Sequence, residues 1–307
     1  MSLHGLLSVT MGVPNVADTA AYYLDFGLTP AEDGWFSTTD AGRQLRIEYA
    51  PTRRLLELRV AADDADDLAR IGASLDRLGI TAQRTAASLV AREPVTGVLV
   101  SVEVAARLVR EPLPVSVYNG PGRNERLDGR APGISRATRV RPRKLGHAVV
   151  GSTDHQASMT FFTEGLGFKV SDRIKGAGAF LRCSADHHNL LLLGAPVNFL
   201  HHTSWQVDDI DEVGRGASAM LEDHPERHVW GLGRHYAGSN FFWYLKDPAG
   251  NFSEYYSDMD CIVDDQLWTP EDLEGARGLF AWGPPPPPSF LRPEDLADLM
   301  TSSHAPR

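Results

Sequence analysis

Hydrophobic and polar positions along this chain fall into recurring blocks. Leu6-Leu7-Ser8-Val9-Thr10-Met11 reads as a strand and leads into a helix-period segment ending Tyr22-Tyr23-Leu24-Asp25-Phe26-Gly27-Leu28. Leu145-Gly146-His147-Ala148-Val149-Val150 does the same before Phe161-Phe162-Thr163-Glu164-Gly165-Leu166-Gly167-Phe168. Laying Tyr22-Tyr23 over Phe161-Phe162 sets Ser8 opposite His147. A weaker pair starts at Leu55-Leu56-Glu57-Leu58-Arg59-Val60 and at His201-His202-Thr203-Ser204-Trp205-Gln206-Val207. Each is followed by an acidic cluster (Asp63 to Asp67, Asp208 to Glu212) of the kind that starts a helix, where the dipole favours negative charge. The simplest account is an α+β protein of four related units, each βαβββ and about 50–60 residues long, two per domain. The predicted division is an N-terminal domain over 1–113 and a Pro/Gly/Arg-rich linker over 114–143. A C-terminal domain over 144–260 and a Pro-rich extension over 261–307 follow. In the extension, Pro284 to Pro288 predicts a stiff polyproline stretch, 292–300 a short helix and 301–307 an unstructured tail.

Strand alternation narrows the picture. From Phe199 to Val207 one face carries Phe199, His201, Thr203, Trp205 and Val207, the other Leu200, His202, Ser204 and Gln206. The more apolar face should meet helices and the polar face should line a cup, which favours His202 over His201 as a functional group. Asp247-Pro248-Ala249-Gly250 is a tight-turn sequence. It should join two antiparallel strands, with Tyr244 on the first and Glu254 on the second.

Composition adds exclusions. A formal charge of −10 argues against a nucleic-acid or anionic-membrane partner. No apolar run approaches the ~20 residues of a membrane span, and Met1 to Gly5 carries no signal-like pattern. The two cysteines, Cys183 and Cys261, lack metal-type spacing and are expected as buried free thiols in a reducing cytoplasm.

Candidate chemistry concentrates in the second half. Nine of the 11 histidines lie between His147 and His235. His147, His202 and Glu254 recur at nearly even intervals. Two imidazoles and one carboxylate can occupy one face of an octahedral metal, leaving the opposite face for substrate and O2. A glutamate flanked by Phe252, Tyr255 and Tyr256 reads as buried, and a buried carboxylate needs a counter-charge. His188, His235 and Tyr244 are the acid–base candidates nearby.

These motifs carry a resemblance. Gly-x-x-Arg-His at 231–235, an aromatic strand ending in Tyr244, Asp-Pro-x-Gly at 247–250 and Glu254-Tyr255-Tyr256 together resemble the signature of the type I extradiol ring-cleavage dioxygenases of the vicinal oxygen chelate superfamily. Leu145-Gly146-His147 resembles the family's first metal-ligand strand, and Leu200-His201-His202 the second. Asp186-His187-His188-Asn189-Leu190 resembles the segment holding its catalytic histidine. The resemblance implies four βαβββ modules in two glyoxalase-like domains, with mixed curved sheets forming a cup. It implies Fe(II), less often Mn(II), on His147, His202 and Glu254, and a substituted catechol such as 2,3-dihydroxybiphenyl or 2,3-dihydroxy-p-cumate cleaved by O2. His188 would be the acid–base catalyst, with His235 and Tyr244 holding the ionised diol. His187 and His201 would support their neighbours, and a homo-oligomer is implied. Ser8 stands where a ligand would be in the N-terminal domain, which therefore reads as a metal-free copy. Gly238 departs from the acidic residue that some relatives carry three positions after the histidine. Phe180, Phe199, Trp205 and Phe241 either shape an apolar pocket or belong to the core. The competing readings are a glyoxalase-like metal-dependent isomerase or epimerase, and a non-catalytic small-molecule binding module.

Overall fold

In the computed structural model, which describes residues 3–114 and 116–301, the four predicted βαβββ units build two curved mixed sheets. The first unit is β1 (Leu3–Val13), α1 (Val16–Asp25), β2 (Thr29–Pro30), β3 (Trp35–Thr38) and β4 (Gly42–Tyr49). The second is β5 (Arg54–Ala62), α2 (Ala65–Arg77), β6 (Ala82–Arg84), β7 (Ser88–Arg92) and β8 (Leu99–Val104). Together they form one sheet ordered β2-β3-β4-β1-β5-β8-β7-β6. A connection carrying the short helix α3 (Pro132–Ser135) leads to the third unit: β9 (Lys144–Ser152), α4 (His155–Thr160), β10 (Lys169–Ile174), β11 (Gly178–Arg182) and β12 (Leu190–Gly194). The fourth is β13 (Phe199–Gln206), α5 (Ile210–Leu221), β14 (His228–Arg234), β15 (Phe241–Lys246) and β16 (Phe252–Ser257). The second sheet runs β14-β15-β16-β13-β9-β12-β11-β10-β17, with β17 (Asp272–Leu273) supplied by the C-terminal segment.

Helices form where apolar residues recur every three or four positions. α2 buries Leu68, Ile71 and Leu75, and α5 buries Val213, Ala217 and Met220. Asp64 and Asp209 cap these helices by accepting from the Asp67 and Glu212 amides. The acidic starts are not wholly solvated: Asp67 is buried and paired with Arg70. The two halves share one core. The Phe26 and Tyr255 rings stack at 3.9 Å, and the Tyr255 hydroxyl donates to the Phe26 carbonyl at 2.6 Å.

The C-terminal segment is more than an appendage. After β17 it crosses the cup through the proline run, α6 (Pro288–Leu291) and α7 (Leu296–Thr301). The Trp230 indole N–H donates to the Pro284 carbonyl at 2.7 Å. Arg53, fully buried just before β5, grips Asp295 through Nε (2.5 Å) and Nη2 (2.8 Å) and also reaches the Leu200 carbonyl. Removing the carboxylate would leave a buried guanidinium without its main counter-charge. Asp295→Ala is therefore expected to cost about 3 kcal/mol, read as a lower thermal unfolding midpoint. Of the predicted unstructured tail, 302–307 lies outside the described residues, and Thr301 closes α7. The thiols are free, but Cys261 is exposed rather than buried, in an isolated bridge to Asp186 that follows β16. No helix among the described residues is long and apolar enough to cross a membrane.

Candidate metal centre and its cavity

Three adjacent strands of the second sheet bring the predicted ligands together. β9 runs antiparallel to β13 with Ser204 opposite His147, and β13 runs parallel to β16 with Ser204 opposite Glu254. His147 Nε2 lies 3.3 Å from His202 Nε2 and 3.1 Å from Glu254 Oε2, and His202 Nε2 lies 3.7 Å from that oxygen. An octahedral ion with bonds of about 2.1 Å sets neighbouring ligand atoms about 3.0 Å apart, close to this triangle. All three residues are buried, and Glu254 Oε2 has no hydrogen-bond partner among the described residues. Its other oxygen accepts from Asn240 Nδ2 at 3.1 Å. Burial alone would push the Glu254 carboxyl up, but the His147 and His235 imidazoles beside it outweigh this and hold it far below the usual carboxylate range. An orphaned, ionised oxygen facing two imidazole nitrogens fits a divalent cation.

Strict alternation fails at β13, for a structural reason. A bulge in β13 lets His202 pair with Val149 while Leu200 pairs with Val150, so His201 is skipped. Both histidines then border the same cavity, their Nδ1 atoms 2.7 Å apart. His201 Nε2–H donates to the Phe290 carbonyl at 2.7 Å. Burial pulls the His201 imidazole down to about 4, so the ring is neutral and its Nδ1 can only accept. His202 must therefore donate from Nδ1, which leaves a lone pair on Nε2, the atom facing Glu254. A second shift beside Gly146 sends Leu145 into the core while Val149 lines the cavity. Only glycine fits at 146, since a Cβ there would fall 2.2 Å from the Tyr256 hydroxyl oxygen.

The acid–base candidates converge on the same centre. Asp247 Oδ1 accepts from the Ala249 and Asn251 amides at 2.9 Å and shapes the predicted turn. The hairpin register then sets Tyr244 directly opposite Glu254. The Tyr244 hydroxyl lies 2.8 Å from His235 Nε2, and His235 Nδ1–H donates to the Leu279 carbonyl. Burial, reinforced by Glu254, raises Tyr244 well above the usual phenol range. The His188 ring lies 4.2 Å from that of His147. Burial, then neighbouring imidazoles led by His147, lowers His188 far below the usual range, so it is neutral.

Above this centre opens a cavity of about 660 Å³, bordered by His147, His188, His202, His235 and Tyr244. Phe180 and Phe199 line it; Trp205 is core, with its indole on Thr203 Oγ1, and Phe241 lies against the Arg234 guanidinium at 4.2 Å. Its outer wall comes from the C-terminal segment, through Leu279, Phe290, Leu291 and Leu296. Sequence reasoning missed this wall, Asn240 and both carbonyl acceptors, because backbone acceptors leave no signature in side-chain identity.

The repeat also shows what each unit lacks. Glu254 pairs with the position two beyond His202; the position two beyond His147, Val149, pairs with Leu191. The fourth donor site of this half is thus a leucine. In the first sheet the matching positions are Ser8, Glu57 and Ser101, with Glu57 engaged by the Ser101 hydroxyl at 2.6 Å. One carboxylate and two hydroxyls are a poor divalent-metal set beside two imidazoles and a carboxylate.

Residues 144–255 match the Glyoxalase/Bleomycin resistance protein/Dioxygenase superfamily. Metapyrocatechase 2 of Cupriavidus necator is 39% identical over 176 residues, which is 54% of this chain and 54% of that protein. The chain spans about half the length of the curated relatives it matches in this way. Biphenyl-2,3-diol 1,2-dioxygenase of Pseudomonas sp. (strain KKS102) is 29% identical over 252 residues, 78% of this chain and 77% of that one. Across the whole fold, the crystal structure of a Mn(II)-bound glyoxalase from Novosphingobium aromaticivorans superposes with a TM-score of 0.71 at 28% identity, covering 92% of this chain and 93% of that one.

Proposed function

We propose that this chain is an Fe(II)- or Mn(II)-dependent extradiol dioxygenase that opens the ring of a substituted catechol with O2. The observation that carries the reading is the meeting of two imidazoles and one orphaned carboxylate oxygen under an apolar cavity bordered by three acid–base groups. His147, His202 and Glu254 would hold the ion. A bound Fe(II) or Mn(II) would supply a path for electrons from an ionised diol to O2, with coordination positions free for both. Names of relatives such as metapyrocatechase and biphenyl-2,3-diol 1,2-dioxygenase support the substrate class.

The chain's own groups divide the proton work. His235, its Nδ1–H spent on the Leu279 carbonyl, offers a lone pair at Nε2 and takes a catechol proton through the Tyr244 hydroxyl. The resulting Tyr–His pair then donates to the phenolate oxygen. Neutral His188, on the His147 side, would take up a proton released by the diol and return it to the O2-derived oxygen as the O–O bond breaks, both oxygen atoms staying in the product. Phe180, Phe199 and the wall of Leu279 and Phe290 exclude water and accept an apolar ring substituent. Ferrous iron and free thiols suit a cytoplasmic setting, and a homo-oligomer is part of the proposal.

A glyoxalase-type isomerase is the second reading, favoured by the likeness to the Mn(II)-bound glyoxalase. Leu191 weighs against it, since the fourth donor position carries no oxygen or nitrogen. Leu191→Glu is expected to bind metal at least as tightly and to lose ring cleavage, because the added carboxylate competes with the diol. The assay is anaerobic loading with Fe(II) or Mn(II), then 2,3-dihydroxybiphenyl in air, following O2 uptake and a yellow product. Colour that forms equally without metal would overturn the proposal.

A further inference from the structure

We infer that Asp172 and His187 are positioning residues that fix the tautomer of His188, so that its cavity-facing nitrogen carries a lone pair rather than a proton. The inference deepens the acid–base role just proposed for His188 and rests on that reading for its catalytic consequence only.

The contacts form a buried line. Asp172 Oδ2 lies 3.0 Å from His187 Nε2, and His187 Nδ1 lies 3.0 Å from His188 Nδ1. Asp172 and His187 are 5% and 0% exposed, so solvent does not compete for these bonds. A register shift in β10 between Val170 and Asp172 turns the carboxylate toward His187. The Trp268 ring packs edge-on against His187 at 5.2 Å, and the His187 amide donates to the Asp260 carbonyl at 2.9 Å. Gly238 closes the box. Its φ is +79°, and a Cβ there would lie 3.2 Å from His187 Nδ1 and 3.3 Å from His188 Nδ1.

Proton bookkeeping follows from donor inventories. A carboxylate accepts, so His187 presents Nε2–H to Asp172. With its one ring proton spent on Asp172, His187 has only a lone pair to offer at Nδ1. His188 must donate to it from Nδ1–H, and His188 Nε2 is left as an acceptor toward the cavity it borders. The logic repeats that of His201 and His202, where the Phe290 carbonyl plays the anchoring part. When His188 takes a proton at Nε2, its Nδ1–H bond to His187 strengthens, with the Asp172 charge behind it.

Asp172→Asn inverts the line. The Glu271 amide donates to Asp172 Oδ1 at 2.8 Å, which holds the single amide oxygen of asparagine at that place. The NH2 group then faces His187 Nε2, forcing the proton of His187 to Nδ1 and that of His188 to Nε2. In the 15N-histidine-labelled full-length chain, metal-free and Zn(II)-loaded, long-range 1H–15N spectra are expected to show His188 protonated at Nδ1, and at Nε2 in D172N. With iron bound, D172N should lose about 100-fold or more in kcat with KM changed less than about threefold and iron content unchanged. His187→Leu should lose as much. His187→Gln, which can accept from His188 and donate to Asp172, should recover at least about tenfold over leucine and covers the case in which D172N does not fold. An unchanged His188 tautomer in D172N, or leucine performing as well as glutamine at 187, overturns the inference. A wild-type chain inactive on catechols would instead sink the functional reading while the spectra still decide the relay.

Discussion

Glu254→Gln is expected to release the metal. The substitution keeps the shape of the side chain and the Asn240 contact but removes the only formal negative charge among the three proposed ligands. Two imidazoles remain, and among the described residues no other carboxylate joins the triangle. Loss of a group that merely supports a ligand typically costs 10–100-fold in affinity. Loss of the charged ligand itself should exceed about 100-fold, which is about 2.7 kcal/mol at 1.36 kcal/mol per decade. Anaerobic titration with Fe(II), followed by metal analysis after gel filtration, reads this directly. Metal retention in E254Q at the parental level would remove Glu254 from the ligand set.

His188→Ala separates chemistry from binding. His188 lies beside His147 but outside the ligand triangle. Its removal should leave iron content intact and KM within a few-fold. The kcat should fall by about 10²–10⁴, the range for a lost general acid–base group. Steady-state O2 uptake against catechol concentration gives both numbers. A fall in KM alone, or loss of iron together with activity, would assign His188 to another role.

Much of this arrangement was legible before the fold was seen, because the chemistry is written in side-chain identity. The turn at Asp247 to Gly250 fixes the partner of Tyr244, and the four βαβββ units show in the paired aromatic and acidic blocks. What escaped is what side-chain identity does not encode. The bulge in β13 sets His201 beside His202 against simple alternation, and that in β10 aims Asp172 at His187. The Leu279 and Phe290 carbonyls orient two histidines through the backbone of a segment whose proline run read only as a stiff stretch. That segment is pinned by Arg53 from the far half of the chain, a contact spanning 242 residues. Cys261, expected buried, is exposed because burial of a lone cysteine depends on which side of β16 the chain leaves.

The central claim is that a diol and O2 meet at the triangle of His147, His202 and Glu254. The direct measurement is mass spectrometry of the product formed under 18O2 by the Fe(II)-loaded chain with 2,3-dihydroxybiphenyl. Both labelled atoms should appear in one ring-opened acid, with none formed by E254Q. Absence of O2 consumption alongside isomerisation of a glutathione hemithioacetal would contradict the account.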